Sequence, residues 1–560
     1  MVTTGVSGAR RWWALIAVAM SMLVVGLDLT VLNLALPTIA NDLHASSSDL
    51  QWFNDAYSLV LAAVVLPAGL LGDRLGRKKV LMTSLAVFGI SSAACAYAAG
   101  SGELIAARAV LGLGAAAIMP LALAIIPVLF KPEERQKATA VMASTIFLSF
   151  PIGPLVGGAL LDNFWWGSVF LINVPVVVFA LIAVAFLMPE SRSTERPRLD
   201  LVGVLISSAG LIAVTYGFIK AGQDGWTDPA ALGTIAAGAV LLAGLIGWER
   251  RLTASSTQLV IGTGGRPRVR PLIELPLFRS AGFAWGTILA TLVSFAMFGI
   301  LFAMPQYFQA VHGVNALHSG LELLPMIGGM LVGMIGGTRL QSPRKDEAGN
   351  PRESLATARF MVAIGYTVMA VGLAIGAFTK TGSSTGFTAA WFAVAGLGLG
   401  LAMPAAMNAA LGALSAERSG GGSALITAMR QVGATIGVAV LGTILNNVYQ
   451  SHLTGAGLPP ALTNAAKNGV EAGVTVAQKV HSAALLTVTR DSFVHGLDVM
   501  LWVCGGIALA SALLAVLFLP RRTRRDSASQ DGVSQDGAAQ PDTTLAATDG
   551  SPAQRAELGL

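Results

Sequence analysis

The stretch GLLGDRLGRKK, from Gly69 to Lys79, sets five charged residues in a tight, glycine-bearing turn between two apolar runs. A soluble protein could use such a turn to hold an anion. A membrane protein could use it to hold two spanning helices on the side where lysine and arginine belong. About seventeen mostly apolar residues precede the turn, and another apolar run follows it directly.

The surrounding chain favours the membrane. Of 560 residues, 54% are hydrophobic and 12% charged, against roughly 25% charged in a soluble domain. Apolar stretches of about twenty residues recur, the length that crosses a bilayer as a helix. The expected fold class is therefore an all-α membrane protein, because lipid cannot satisfy open backbone groups. Fourteen spans are expected, over 13–35, 52–71, 80–99, 104–128, 138–161, 168–188, 201–219, 230–248, 283–305, 319–338, 358–378, 387–411, 424–447 and 498–519. The 64 glycines suit close helix packing in lipid. Cys95 and Cys504 lie in apolar stretches and read as packing residues. A cleaved signal peptide is not expected, since the first apolar run carries Asp28 and lacks a small-residue cleavage site.

Charge orients the bundle. Basic residues outnumber acidic ones in the turn at 73–79, in 249–282 and in 339–359, while the 36–51 loop has no basic lysine or arginine. The positive-inside rule then puts both termini and the opening turn in the cytoplasm of a plasma (inner) membrane protein. The clustered net charge of +6 reads as topology and contact with membrane lipids, not as nucleic-acid binding. The segment 448–497 is long for a helix connection on the outer side, and its NAAKNGVEAGVTVAQKVHSAALL portion reads as an amphipathic helical cap over the outer mouth. Beyond Arg525 the chain is polar and expected to be disordered.

Ionisable residues inside the spans are the functional candidates. Asp28 falls about 22 Å along the first span. Asp55 and Glu322 lie toward the outer ends of their spans, and Arg108 a little inside the outer end of its own. Asp28 is the first choice for a proton-carrying acid, with Arg108 as the partner that tunes it. A purely structural Asp–Arg pair is the alternative, and Asp55 could simply meet headgroup water. Arg430 and Gln431 enter the inner part of the thirteenth span, where an arginine can also snorkel to the surface. SFPIGPLVGGAL combines Pro154 with Gly153, Gly157 and Gly158, a segment able to bend and slide against a neighbour. His312 falls in an outer loop with nothing to suggest metal ligation. No ATP-binding GxxxxGK[ST] loop, cofactor motif or catalytic constellation occurs.

Together these motifs resemble the major facilitator superfamily, specifically its fourteen-helix drug:proton antiporter branch, over nearly all of the chain up to about residue 520. Gly69, Asp73, Arg74, Gly76, Arg77 and Lys78 resemble the loop 2–3 motif, which implies a cytoplasmic conformational latch. LDLTVLNLALP is similar to the branch's helix 1 motif, and RAVLGLGAA to the helix 4 motif, with Leu111 where a glutamine is common. SFPIGPLVGGAL resembles the antiporter motif, with Ser149 in place of an early glycine. FWWGSVFLINVPV resembles multidrug and quaternary-ammonium exporters, and Asp55 sits where that group places an acid for cationic drugs. SGLELLP is similar to the start of helix 10, with Glu322 replacing a usually apolar residue.

The resemblance implies a six-helix bundle over 1–188, a two-helix insertion and linker over 189–282, a second six-helix bundle over 283–520 and a tail over 521–560. It implies proton-coupled export of lipophilic, cationic small molecules by a protein functional as a monomer, with Asp55 and Glu322 recognising the cation. An exporter of a metabolite, amino acid or peptide is the alternative in the same class. A non-transporting membrane receptor is the alternative outside it.

Overall fold

The computed structural model describes residues 8–130, 132–190, 200–225, 227–263, 275–341, 344–345, 351–352, 357–412, 419–456 and 459–520. The expected tail over 521–560 and the linker over 264–274 lie outside them. The helices are α1 (Gly8–Leu43), α2 (Ser47–Leu75), α3 (Arg77–Ala96), α4 (Ser101–Ala124), α5 (Ile126–Leu129), α6 (Pro132–Asn163), α7 (Ser168–Leu171), α8 (Asn173–Leu187) and α9 (Leu201–Asp224). They continue with α10 (Pro229–Thr263), α11 (Ala281–Gln306), α12 (Ala316–Gln341), α13 (Ala358–Gly376), α14 (Thr385–Gly412), α15 (Ser419–Gly455), α16 (Pro460–Ala466), α17 (Val470–Lys479) and α18 (Ala483–Phe518). A two-residue antiparallel ribbon, Arg344–Lys345 with Pro351–Arg352, is the only strand pairing among the described residues.

The protein is an all-α, multi-spanning bundle. Among the described residues, twelve helices are long and apolar enough to cross a membrane; α2 and α6 are not in that set. Several helices run past the expected spans. The first reaches Leu43 and the last starts at Ala483, fifteen residues before the expected 498. Hydropathy tracks only the lipid-buried part of a helix, whereas the hydrogen-bond ladder continues into polar sequence. Local signals fix these ends. Ser46 and Asp49 form a capping box at the start of α2, and Ser482 accepts from Leu485 N–H at 3.2 Å at the start of α18. The expected amphipathic cap is two short helices, α16 and α17, broken at Gly469, whose φ is +148°.

Two groups of helices pack within themselves. α1 packs on α6 and α8, α2 on α4, and α3 on α4 and α8. In the second group α11 packs on α14 and α15, α12 on α14, and α13 on α14 and α18. The groups meet where α2 touches α15, α6 touches α12 and α1 touches α11. α9 pairs with α10 and also lies against both α2 and α15. Leu232, Val240 and Ile246 of α10 are exposed, as expected of a lipid-facing helix.

Candidate functional site

α1 carries polar residues into an apolar core. Asp28, Thr30 and Asn33 are all buried. Arg108 of α4 donates from its terminal nitrogen to Asp28 Oδ2 at 2.6 Å, and both side chains are 1% exposed. Its Nε donates to the Phe53 carbonyl of α2 at 2.9 Å, and its guanidinium lies 4.4 Å from the centre of the Tyr57 ring. A desolvated arginine held by a carboxylate, a carbonyl and a π-face has its charge met on three sides. Asn173 of α8 donates to the Ser92 hydroxyl at 3.1 Å and stands beside the same carboxylate. The expected Asp28–Arg108 pairing is thus present as geometry.

A cavity opens on the other side of α1. Thr30, Asn33 and Pro154 line it from α1 and α6, and Met297, Leu301, Leu323, Met326, Ile327 and Met330 from α11 and α12. Three thioethers among branched aliphatics make a wall that can repack around different shapes. Asn54 of α2 donates to Asn33 Oδ1 at 3.1 Å behind the polar edge. None of Asp28, Asp55 and Glu322 belongs to this lining.

Asp55 is fully buried, and neither carboxylate oxygen has a hydrogen-bond partner among the described residues. It follows Gln51 by one helical turn, and Gln51 meets Gly442 of α15. Trp52, three residues before Asp55, touches Tyr216 of α9 at 6.1 Å between ring centres. Headgroup contact, the alternative for Asp55, does not fit full burial. Glu322 sits beside His312, a residue read from the sequence only as part of an outer loop, with His312 Nδ1 at 3.8 Å from Glu322 Oε2.

The antiporter-motif glycines bring α6 close to α12 of the other group through Gly158 and close to α1 of its own group through Gly153 and Gly157. A Cβ on Gly158 would stand 2.5 Å from Leu317 Cα of α12, and one on Gly320 would stand 2.5 Å from the Pro154 carbonyl oxygen. Gly153 and Gly157 take Thr30 and Val31 of α1 in the same way. The end of the bundle holding Leu43 and Asn163 is closed by further ties. Gln309 donates to the Leu34 carbonyl at 2.9 Å, Asn315 to Asp162 at 2.8 Å, and Ser47 N–H to the Asn468 carbonyl at 2.9 Å.

At the opposite end, Gly76 turns α2 into α3 with φ +116°, a conformation that favours glycine. A Cβ there would also meet Glu190 Oε1 at 2.5 Å. Lys78 N–H donates to Glu190 Oε1 at 3.3 Å and its Nζ to the Ala185 carbonyl at 2.5 Å, tying the turn to the end of α8. The Asp73 side chain lies outside the described residues, and Arg74 is exposed. Arg430, for which snorkelling was the alternative, donates from Nε to the Ser294 hydroxyl of α11 at 3.3 Å. Gln431 Nε2 is buried without a hydrogen-bond partner among the described residues. Sequence reasoning missed Glu190 and the role of His312. A carboxylate after a span and a lone loop histidine carry no spacing signal.

The profile of the Major Facilitator Superfamily matches residues 18–438. The chain is 31% identical over 523 residues to the tetracenomycin C resistance and export protein of Streptomyces glaucescens, covering 90% of this chain and 91% of that one. It is 33% identical over 512 residues to the multidrug efflux pump LfrA of Mycolicibacterium smegmatis, covering 90% and 95%. A bacterial homologue of the human lysosomal transporter Spinster, crystallised inward-facing and unoccupied, has the same fold, with a TM-score of 0.63 at 15% identity over 92% of this chain and 98% of that one. The chain belongs to the Major Facilitator Superfamily and is a multi-spanning secondary transporter, not an enzyme.

Proposed function

We propose that this protein is a drug:proton antiporter that exports lipophilic, cationic small molecules by alternating access. The observation that carries the reading is the Asp28–Arg108 pair, an ionisable couple sealed from water inside an apolar bundle. A buried pair with no stability advantage over apolar packing argues for a use beyond structure. The names of the relatives, one an export protein and one a multidrug efflux pump, support export of foreign or toxic compounds.

In this mechanism a proton on Asp28 breaks the ion pair. Arg108 keeps the Phe53 carbonyl and the Tyr57 ring, both on α2. α1 is then released from α4 and can move against them. Because α1 also lines the methionine-walled cavity, proton and substrate communicate through that helix without sharing one carboxylate. Asp55 and Glu322 supply the negative charge for the cation. The glycine-lined contact of α6 with α12 closes the outer end, and the turn at Gly69–Lys78 latches the cytoplasmic end.

In the proposed topology α2 and α6 also span, making fourteen. Their 29 and 32 residues reach about 43 and 48 Å. The six-helix bundles then occupy 1–188 and 283–520, with α9 and α10 as the added pair. Both termini and the Gly76 turn face the cytoplasm of the plasma (inner) membrane, as the basic loops favour. The test is reconstitution: adding tetraphenylphosphonium to vesicles of the purified protein should release protons in proportion to drug moved. Movement of drug without protons refutes coupling, and movement of neither refutes export of lipophilic cations.

A further inference from the structure

One cluster of titratable side chains stands apart from both the Asp28–Arg108 pair and the central cavity. It gathers where the π-helical turn Tyr307–Val311 ends. His312 Nδ1 lies 3.8 Å from Glu322 Oε2, and the two side chains are 11% and 14% exposed. On the far side of the ring, Nε2 lies 2.9 Å from the Tyr307 hydroxyl. That hydroxyl donates its one proton to the Lys380 carbonyl at 3.2 Å, so it accepts from the imidazole. The neutral ring therefore carries its proton on Nε2 and presents a bare Nδ1 to Glu322.

Glu322 Oε2 is buried and has no hydrogen-bond partner among the described residues. A carboxylate oxygen in that position calls for one positive charge. A substrate cation can supply it. So can a proton on Nδ1, which makes the ring an N–H donor aimed at the carboxylate.

We propose that His312 and Glu322 form a proton-operated release site, in which a proton taken up by Nδ1 from outside pairs the imidazolium with Glu322 and expels a cation held there. One charge enters as one leaves, so the site keeps its net charge through the exchange. The proposal rests on the reading of Glu322 as a cation contact.

The surroundings set the direction. Burial, with Arg490 adding to it, holds the His312 imidazole below its usual range, so it is neutral at pH 7 and charges only on acidification. Arg490 of α18 is fixed by donating from Nε to the Ala310 carbonyl at 3.1 Å. The other titratable groups facing the cluster are Tyr307, Asp498 of α18, and His318 on the helix of Glu322 itself. α17 also touches the turn, but its Glu471 faces Tyr449 of α15.

The test uses the full-length protein with isotope-labelled histidine, the His312 signal being assigned by its loss in His312→Asn. Glu322→Gln should lower the His312 pKa by about one unit or more, because the carboxylate favours the imidazolium. An unchanged titration overturns the pairing. Tetraphenylphosphonium affinity of the wild type should fall about tenfold from roughly pH 7.5 to 5.5, and His312→Asn should flatten that fall. A fall as steep in His312→Asn overturns the release role. If the wild type binds no lipophilic cation at any pH, the cation-export reading and the release role both fail, while the His312–Glu322 linkage stands or falls on the titration alone.

Discussion

Arg108 of α4 holds Asp28 of α1 at 2.6 Å while its guanidinium lies 4.4 Å from the ring centre of Tyr57 on α2, so three helices converge on one buried charge pair. Removing either charge leaves the other in an apolar core, which typically costs about 3–5 kcal/mol. Removing both leaves nothing to compensate. That asymmetry separates a structural role from a coupling role.

Asp28→Asn should lose proton-driven efflux and melt lower than the wild type, since Arg108 keeps its charge without the anion. Adding Arg108→Gln should recover much of the melting temperature but none of the transport. The measurement is drug efflux under an imposed proton gradient, with thermal unfolding on the same membranes. Recovery of transport in the double variant would make the pair structural and move coupling elsewhere.

Gly158 should tolerate no larger residue without opening the end of the bundle that holds Asn163. Its hydrogen faces Leu317 Cα, where a Cβ would sit 2.5 Å away. Gly158→Val must push α6 from α12, because the obstacle is backbone. A cysteine introduced at Leu317 should then react with a water-soluble maleimide several-fold faster than in the Gly158 parent. Both native cysteines are buried, which keeps the background low. Equal rates would mean that the contact does not hold the two groups together.

Much of this was legible in the sequence, and the limits have physical causes. Asp28 and Arg108 stand out because charge inside an apolar run has no cheap explanation. The Gly76 turn could be read because a glycine and basic residues between two spans satisfy both backbone and topology. The start of α18 could not, because its first turns carry Arg490 and Asp491, and a hydropathy window treats those as loop. His312 is a lone histidine in a short connection, and only the fold brings Glu322 and Tyr307 to either side of its ring. Which face of α2 Asp55 occupies was likewise undecided until Gln51 and Trp52 were seen against α15 and α9.

Glu471 should make the α16–α17 hairpin sensitive to pH. The side chain is buried, one carboxylate oxygen is unbonded, and burial pushes its pKa up to about 8. The folded hairpin therefore binds a proton more tightly than the open one. Its stability is greatest below the ordinary glutamate range and falls as pH rises through about 8. Hydrogen exchange in α17, corrected for the intrinsic rate, should quicken between about pH 6.5 and 8.5 and stay flat in Glu471→Gln. A flat wild-type profile would show that the carboxylate finds water without opening the hairpin.

Asp55 gives the sharpest test of how cations are recognised, because stability and transport should move in opposite directions. A carboxylate that is fully buried and unbonded is a liability for the folded state unless something positive visits it. Asp55→Asn keeps the shape and removes the charge. The melting temperature should rise, by an amount set by about 1–3 kcal/mol of relieved desolvation. Efflux of a monovalent lipophilic cation should fall about tenfold, and a divalent one should fall further, since each positive charge gains from a nearby carboxylate. A neutral lipophile of similar size should be moved as before, because the methionine-lined cavity contains neither Asp55 nor Glu322. Everted vesicles carrying wild type and Asp55→Asn side by side allow all three classes to be compared at one proton gradient. Equal losses for charged and neutral compounds would make Asp55 a structural residue of the seam between α2, α9 and α15, and a lower melting temperature would point the same way.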